Sequence, residues 1–171
     1  DGMRRGYSVE DYKTLVDLLR SEAPSIAFST DIIVGFPGET DDEFEDTLRL
    51  MDWVGYDSSY IFSYSPRPGT PALEMEDSVS DAIKKDRLQA TIDLQKSLSD
   101  QNGKQYLGRQ VEVLVESETS RQDFDFKGRS PHYWMVNFSG GRDTLKPGDL
   151  VKVQVHATSG HGLKGIYSSS N

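Results

Sequence analysis

The hydrophobic positions of the chain follow two different periods, and the change falls shortly after residue 100. Before it, apolar residues recur at helical spacing or in short continuous runs; after it, they alternate with polar residues. Ser8 is a good helix cap, and the helix that it predicts ends at Ala23-Pro24. One face of that helix is apolar and carries Tyr12, Leu15, Val16 and Leu19. The pattern predicts an α/β part followed by an all-β part.

A strand, a glycine turn and a helix follow the first helix in immediate succession. The apolar run that ends the segment from Ile26 to Val34 predicts a buried strand, and Gly35 then begins a turn. Thr40 and Glu43 have the spacing of a capping box, which predicts the start of a second helix. The junction is typical of the carboxyl edge of a parallel sheet, where ligands bind.

The next strand is predicted from Ser59 to Tyr64, after a helix whose core positions are Phe44, Leu48 and Met51. A strand, a helix and a second strand in this order predict a right-handed parallel crossover, the unit of doubly wound sheets and α/β barrels. The second strand runs into a proline-rich loop, which we expect at the same edge as the Gly35 turn.

A long polar helix with a narrow apolar seam is predicted from Ser80 to about Tyr106, and the Asn102-Gly103 pair marks the predicted domain boundary. The domains are therefore expected at 1–103 and 104–168. The second is predicted to be a small barrel of four or five strands, similar to an oligonucleotide-binding barrel. Three of its strands are predicted from the alternation, at Gln110–Glu116, Tyr133–Phe138 and Leu150–Val155.

Composition narrows the class of protein and separates the two parts by charge. Residues 1–103 carry 10 Lys and Arg against 21 Asp and Glu, a net charge of −11, whereas residues 104–171 carry 9 against 7, a net charge of +2. The asymmetry suggests two modules with different partners, although ordinary variation explains it equally well. The sequence has no cysteine and no long apolar run, which favours a cytoplasmic protein without a membrane span, a disulfide framework or a thiolate-ligated cluster.

Candidate binding residues lie in the loops and in the predicted barrel. Arg67, in the proline-rich loop, is a candidate for gripping a carboxylate or phosphate, although the loop could equally be a simple connection. Arg4 and Arg5 could hold an anion, although solvated surface charge is the commoner explanation. The barrel offers aromatic rings for stacking on bases and cations for phosphates: Lys127, Arg129, His132, Tyr133, Trp134 and Lys164.

Three motifs followed by a barrel give the chain a family resemblance. They are Arg5-Gly6-Tyr7, Ser29-Thr-Asp-Ile-Ile-Val-Gly-Phe-Pro-Gly-Glu-Thr40 and Tyr64-Ser-Pro-Arg-Pro-Gly-Thr-Pro71. Over its whole length the chain resembles the radical S-adenosylmethionine methylthiotransferases. Asp31 and Arg67-Pro68 are more similar to the members that modify tRNA than to those that modify a ribosomal protein. The resemblance implies part of a TIM-like radical barrel followed by a TRAM domain.

The same resemblance implies cofactors that this chain cannot hold alone. Family members use S-adenosylmethionine and two [4Fe–4S] clusters, and their cluster cysteines have no counterpart here. The chain is therefore expected to be the C-terminal portion of such an enzyme, inactive by itself. Its missing partner is expected to be the N-terminal half of the same protein, and an exposed sheet edge could also favour self-association.

The resemblance also assigns roles to residues. The cofactor's adenosine is expected to contact Phe36, Pro37, Gly38, Tyr64 and Ser65. The substrate, a tRNA anticodon stem-loop carrying N6-isopentenyladenosine, is expected to contact Arg5, Arg67, Lys127, Arg129 and Lys164. Ser130-Pro131-His132 departs from the more basic sequence of many relatives, which weakens the expected affinity of the barrel alone for tRNA. An RNA-binding module without catalysis, or a methylthiotransferase portion acting on a ribosomal protein, remain alternatives.

Overall fold

The computed structural model describes residues 3, 5–120, 123–160 and 162–167. Within these ranges, three helices and two strands form the first part: α1 (Val9–Glu22), β1 (Ser29–Val34), α2 (Asp41–Val54), β2 (Ser58–Ser63) and α3 (Asp81–Gly103). Five strands form the second: β3 (Gln110–Glu118), β4 (Phe126–Arg129), β5 (Met135–Ser139), β6 (Leu150–Ser159) and β7 (Gly162–Tyr167). Short 3₁₀ turns occupy Pro71–Glu74 and Lys104–Tyr106. None of the helices in the described part is long and apolar enough to cross a membrane.

The parallel crossover predicted from the sequence is confirmed. β1 and β2 run parallel in continuous register from Ser29 opposite Ser58 to Val34 opposite Ser63. The capping box predicted at Thr40 is also present, because the Thr40 hydroxyl accepts from the Glu43 amide and the Glu43 carboxylate accepts from the Thr40 amide. Both predicted strands were slightly misplaced, since β1 begins later than Ile26 and β2 lies one residue earlier.

The core of the first part lies between one face of this two-stranded sheet and the helices. Its buried members are Val16, Ile32, Val34, Phe44, Met51, Val54, Tyr56 and Leu98. Leu15, predicted on the buried face of α1, is instead 51% exposed, because the seam of that helix turns toward Val16. The other face of the sheet is open in the described part of the chain, where Ile33, Tyr60 and Phe62 are 39%, 58% and 53% exposed. Large apolar side chains on an open sheet face normally pack against further structure.

Helix α3 buries polar side chains in addition to the narrow apolar seam that its sequence predicted, of which Leu98 is buried and Leu88 packs against the core. The buried polar side chains are Lys84, Arg87, Thr91, Gln95 and Ser99. Several of these side chains satisfy backbone carbonyls in the loops beneath the helix: Gln95 Nε2 donates to Tyr56 O at 2.9 Å, and Ser99 Oγ donates to Asp57 O at 2.9 Å. The helix is therefore held to the α/β part by hydrogen bonds as well as by apolar contacts.

The second part is a closed five-stranded barrel with strand order β3-β4-β5-β7-β6, which confirms the predicted small barrel. Its interior is filled by apolar side chains: Val113, Val115, Phe126, Trp134, Val136, Phe138, Val151, Val153, Val155 and Leu163. The prediction that Tyr133 and Trp134 belong to a strand is wrong, because β5 begins only at Met135. Tyr133 lies in the preceding turn with a φ of 64°.

The two parts meet at the end of α3 without a flexible linker. The helix continues through Asn102 to Gly103 and passes directly into the 3₁₀ turn. A Cβ at Gly103 would lie 3.2 Å from Thr158 of β6, and a Cβ at Gly160 would lie 3.2 Å from the side chain of Lys96. Glycine is favoured where two segments approach so closely. The two contacts show that the barrel packs directly against α3. The predicted C-terminal limit of the barrel, Ser168, lies outside the described residues.

Candidate functional site

The Gly35 turn and the proline-rich loop lie side by side at the carboxyl edge of the two parallel strands. Tyr64 N donates to Val34 O at 2.8 Å, which continues the strand pairing to the start of both loops. The rings of Phe36 and Tyr64 then meet edge to face, with centroids 5.3 Å apart and planes at 72°. We call this edge, residues 35–39 together with Tyr64 and Ser65, the rim.

The five residues predicted to hold adenosine differ in how far they are accessible on the rim. Pro37 is buried, Phe36 and Tyr64 are half-buried, and Gly38 and Ser65 are exposed. A Cβ at Gly38 would meet no atom within 4 Å, so open space lies beside this stretch of backbone. The structure brings these residues together, and their contact with a cofactor stays a prediction.

A buried ionic cluster beneath the rim was not predicted from the sequence. The Glu39 carboxylate accepts from Gly35 N at 2.7 Å and from Arg87 Nη1 at 2.7 Å. Arg87 is 6% exposed; it also donates to Glu39 O at 3.0 Å and to the exposed Asp41 carboxylate at 2.6 Å. Burial alone would lower the pKa of Arg87, but its hydrogen bonds to Asp41 and Glu39 outweigh that effect and raise it. The guanidinium thus holds the end of the turn directly, and it holds the start of the turn through the Glu39 carboxylate.

Lys84 lies three residues before Arg87 on α3 and packs against the Gly35 end of the rim. Its Nζ is paired with the Asp77 carboxylate and lies 5.6 Å from the centroid of the Tyr64 ring. Its Cγ would lie 2.5 Å from a Cβ at Gly35, so the lysine stem fills the space that a side chain would need there. A signal for this arrangement is present in the sequence: the polar residues 84, 87, 91, 95 and 99 recur at helical spacing.

The predicted substrate residues of the α/β part are both exposed. Arg5 lies in the loop before α1, and Arg4 lies outside the described residues. Arg67 lies in a stiff turn where its carbonyl accepts from the Thr70 hydroxyl at 2.8 Å and from the Thr70 amide at 3.3 Å. The guanidinium of Arg67 is thus carried by a firmly held backbone near the rim.

The three predicted cations of the barrel share one outer face. Lys127 of β4 lies opposite Asn137 of β5, which in turn lies beside Lys164 of β7. Because neighbouring strands are about 4.8 Å apart, the two lysines are separated by roughly 10 Å. Arg129 follows two residues after Lys127 on the same face, with Nε 2.9 Å from the Glu116 carboxylate. The structure brings these cations together into a basic row.

A cleft of about 200 Å³ separates the barrel from the α/β part. One wall is formed by the amino end of β2 and by Ser99 of α3, and the other by the turn between β4 and β5 and by the adjoining glycines. Asp57 lines the cleft, and burial raises the pKa of its carboxyl group, with smaller opposing effects from the Phe28 amide and His132. The cleft lies at the opposite end of β2 from the rim.

The barrel and the whole chain resemble known proteins. Residues 104–166 match the TRAM domain family. The tRNA-2-methylthio-N6-dimethylallyladenosine synthase of Clostridium tetani is 40% identical over 95% of this chain, and that of Bacillus velezensis is 43% identical over 96%. The corresponding synthase of Pelotomaculum thermopropionicum is 43% identical over 97%. The chain spans only about a third of each relative, at 36%, 32% and 37% of their lengths.

These matches confirm the family resemblance that the three motifs carried. The similarity covers both the rim and the barrel, because it extends over at least 95% of the chain. Nearly the whole chain is therefore similar to about a third of these synthases, and residues 104–166 match the TRAM domain family.

Proposed function

We propose that the chain is one portion of a tRNA methylthiotransferase, the portion that completes a radical S-adenosylmethionine barrel and carries an RNA-binding TRAM domain. The reaction of the whole enzyme would add a methylthio group to N6-isopentenyladenosine next to the anticodon of tRNA. The observation that carries this proposal is the identity of 40–43% to tRNA-2-methylthio-N6-dimethylallyladenosine synthases over nearly the whole chain.

The residues present fit one of the implied cofactors and not the other. The sequence has no cysteine, and the described residues contain no cluster of three or more His, Asp or Glu side chains that could hold a metal ion. Iron–sulfur clusters need thiolate ligands, so this chain supplies none and is proposed to be inactive alone. The rim does suit an adenosine, since it combines two aromatic rings with open backbone at Gly38.

The role proposed for the rim is to orient the cofactor. When bound, S-adenosylmethionine supplies the radical chemistry, and the protein supplies position and exclusion of water. Phe36 and Tyr64 would pack against the adenine ring, the buried Pro37 would keep the turn in shape, and the backbone of Gly38 and Ser65 would hydrogen-bond to the ring. Arg5 and Arg67 would contact the substrate nearby.

The role proposed for the barrel is to hold the RNA backbone. Lys127, Arg129 and Lys164 project from one outer face, and cations arranged in a row suit a chain of phosphates. A net charge of +2 on residues 104–171, against −11 on residues 1–103, directs a polyanion to the barrel. This distribution supports RNA rather than a protein as the substrate.

Binding of an anticodon stem-loop to the purified chain tests the proposal. Three neutralised phosphates predict a plot of log K against log salt with a slope of about −2 to −3, and replacement of Lys127 or Lys164 by Ala would reduce its magnitude by about 1. Lys13→Ala, in α1, is the matched control and should leave the slope unchanged. Failure of the chain to bind the stem-loop even at low salt would contradict the proposal.

A further inference from the structure

The cleft between the barrel and the α/β part has the features of a site for a flat ring. Two exposed tyrosines lie on its opposite walls, Tyr60 of β2 at 58% and Tyr133 of the barrel at 64% exposure. Exposed aromatic rings on two sides of a concave site offer stacking surfaces that neither module offers alone. His132 also lines the cleft beside Tyr133.

Tyr133 is held outward by an unfavourable backbone conformation. Its φ of 64° is rare for a residue with a side chain, and Tyr133 is the only residue other than glycine with a positive φ in the described ranges. The turn is over-determined: Tyr133 N donates to Ser130 O at 2.9 Å, and the buried Ser130 hydroxyl accepts from Trp134 N at 3.2 Å. Strain that surrounding contacts maintain is typical of functional positions.

Arg129 backs the exposed ring. Its guanidinium carbon lies 4.2 Å from the centroid of the Tyr133 ring, and its Nη1 donates to Tyr133 O at 3.4 Å. The guanidinium donates from Nε to the Glu116 carboxylate, so the carboxylate holds the guanidinium against the ring. Such a ring is fixed in place before any ligand arrives, which reduces the entropy lost on binding.

The size and the polar groups of the cleft limit what it can hold. Its volume of about 200 Å³ is below the roughly 300–1,000 Å³ of sites for drug-sized ligands, so it suits a single base rather than a whole nucleotide. The hydroxyls of Ser59 and Ser99 are already bonded to Gln95 and to Asp57 O, but the side chains of Asp57, Ser58 and His132 also line it. These groups can meet the edge of a heterocyclic base, while the aromatic walls meet its faces.

We propose that this cleft binds one unpaired RNA base, stacked on Tyr133 with Tyr60 on the opposite wall, at a site separate from the rim. The RNA class of the ligand rests on the proposed function. Residues 61–63 of β2 separate Tyr60 of the cleft from Tyr64 of the rim, a distance of roughly 13 Å along the strand, so the base held here would not be the one that reacts. The cleft would therefore fix the register of the RNA on the protein.

Fluorescence of 2-aminopurine tests the proposal on the intact chain. Short single-stranded RNAs carry one 2-aminopurine at an unpaired position, and the matched probes carry an abasic residue at that position instead. Stacking in the cleft should quench the fluorescence. Tyr133→Ala should weaken binding by about 5- to 150-fold, which is the measured range for loss of one base–aromatic stack. Tyr133→Phe should retain wild-type affinity.

Salt dependence separates the cleft from the basic row. Loss of Tyr133 should lower the affinity equally at low and high salt, because stacking releases no counterions, whereas loss of Lys127 should reduce the salt slope. Leu150→Ala is the control, since Leu150 is an equally exposed apolar residue of the barrel, 62% exposed and outside the cleft. Circular dichroism of each variant would verify that the barrel is folded.

The outcomes distinguish this inference from the proposed function. If the RNA binds but neither quenching nor a Tyr133→Ala effect is seen, the cleft proposal is wrong and the proposed function stands. Equal binding of the abasic probe would likewise overturn it. If no RNA binds at low salt, both fail. If extended peptides rather than RNA compete for the site and pair with the free edge of β2, the cleft is a peptide site and the inference is overturned.

Discussion

Replacement of Arg87 tests whether α3 stabilises the rim through the ion pair between Arg87 and Glu39. In Arg87→Met the apolar part of the side chain is retained, but Glu39 loses its cationic partner and its carbonyl loses a donor. Glu39 is only 10% exposed, so its carboxylate would stay buried with the Gly35 amide as its remaining donor. The lost contact with Asp41 matters little, since that carboxylate is 95% exposed.

The expected magnitude follows from the burial of the pair. Removing one partner of a buried ion pair lowers the free energy of unfolding by about 3–5 kcal/mol. Because Glu39 retains one hydrogen bond and slight exposure, we expect the lower limit, about 3 kcal/mol. The double variant Arg87→Met with Glu39→Gln should recover about 1–2 kcal/mol, because no unpaired charge is then left beneath the rim.

Urea unfolding followed at 222 nm measures this effect in the relevant part of the chain. The three α-helices of the described residues all precede residue 104, so the ellipticity reports mainly on the α/β part. A loss of 3 kcal/mol would lower the unfolding midpoint by about 1.5 M for a slope of about 2 kcal/mol per molar urea. The control is Arg49→Ala, which removes an exposed pair with Asp46 and should leave the midpoint unchanged.

Two results would show that the ion pair between Arg87 and Glu39 does not stabilise the rim in this way. A loss below about 1 kcal/mol in Arg87→Met would mean that the cluster contributes no more than an exposed pair. A double variant no more stable than Arg87→Met would mean that the unpaired Glu39 charge is not the cause of the loss.

The remaining predictions concern backbone strain and pH. Gly35→Ala should destabilise the α/β part by more than Gly69→Ala. Both glycines have a positive φ, which costs Ala about 1–2 kcal/mol. At Gly35 the new Cβ would also collide with the side chain of Lys84, whereas at Gly69 it would meet no atom within 4 Å. Equal losses in urea unfolding would contradict the packing of Lys84 on the turn. Burial raises the pKa of Asp57 above its ordinary value of 3.8, so the carboxyl group ionises less readily in the folded chain than in the unfolded chain. The contribution of Asp57 to the free energy of unfolding therefore falls as pH rises through the folded pKa. Asp57→Asn, which keeps an acceptor for the Phe28 amide, should therefore gain stability relative to the wild type as pH rises above about 4. A difference that is independent of pH would rule out a raised pKa at this position.

The sequence predicted those structural elements that are determined by neighbouring residues in the chain. The capping box at Thr40 and the alternation of β3 and β6 depend on residues close together in the chain, and both were found. The meeting of Phe36 with Tyr64 was predictable because a parallel crossover places both strand ends at one edge.

The features that the sequence left unpredicted arise from contacts between distant segments. Arg87 resembles any exposed helical arginine until Glu39, 48 residues away, is folded against it. β4 is only four residues long and contains Gly128, where an added Cβ would lie 2.2 Å from Leu114 O. The strands that pair with β4, rather than its own β propensity, therefore place it in the barrel. The conformation of Tyr133 is likewise imposed by the turn that Ser130 holds.

A chimeric enzyme would show whether this chain can replace the matching portion of a tRNA methylthiotransferase. The matched portion of the Bacillus velezensis synthase, 32% of its length, would be replaced by this chain and expressed in a strain that lacks its own enzyme. The account predicts that 2-methylthio-N6-isopentenyladenosine reappears in tRNA hydrolysates analysed by mass spectrometry, and that Arg67→Ala in the chimera reduces it. A chimera that accumulates to the level of the parent synthase but leaves tRNA without the methylthio group would contradict the account.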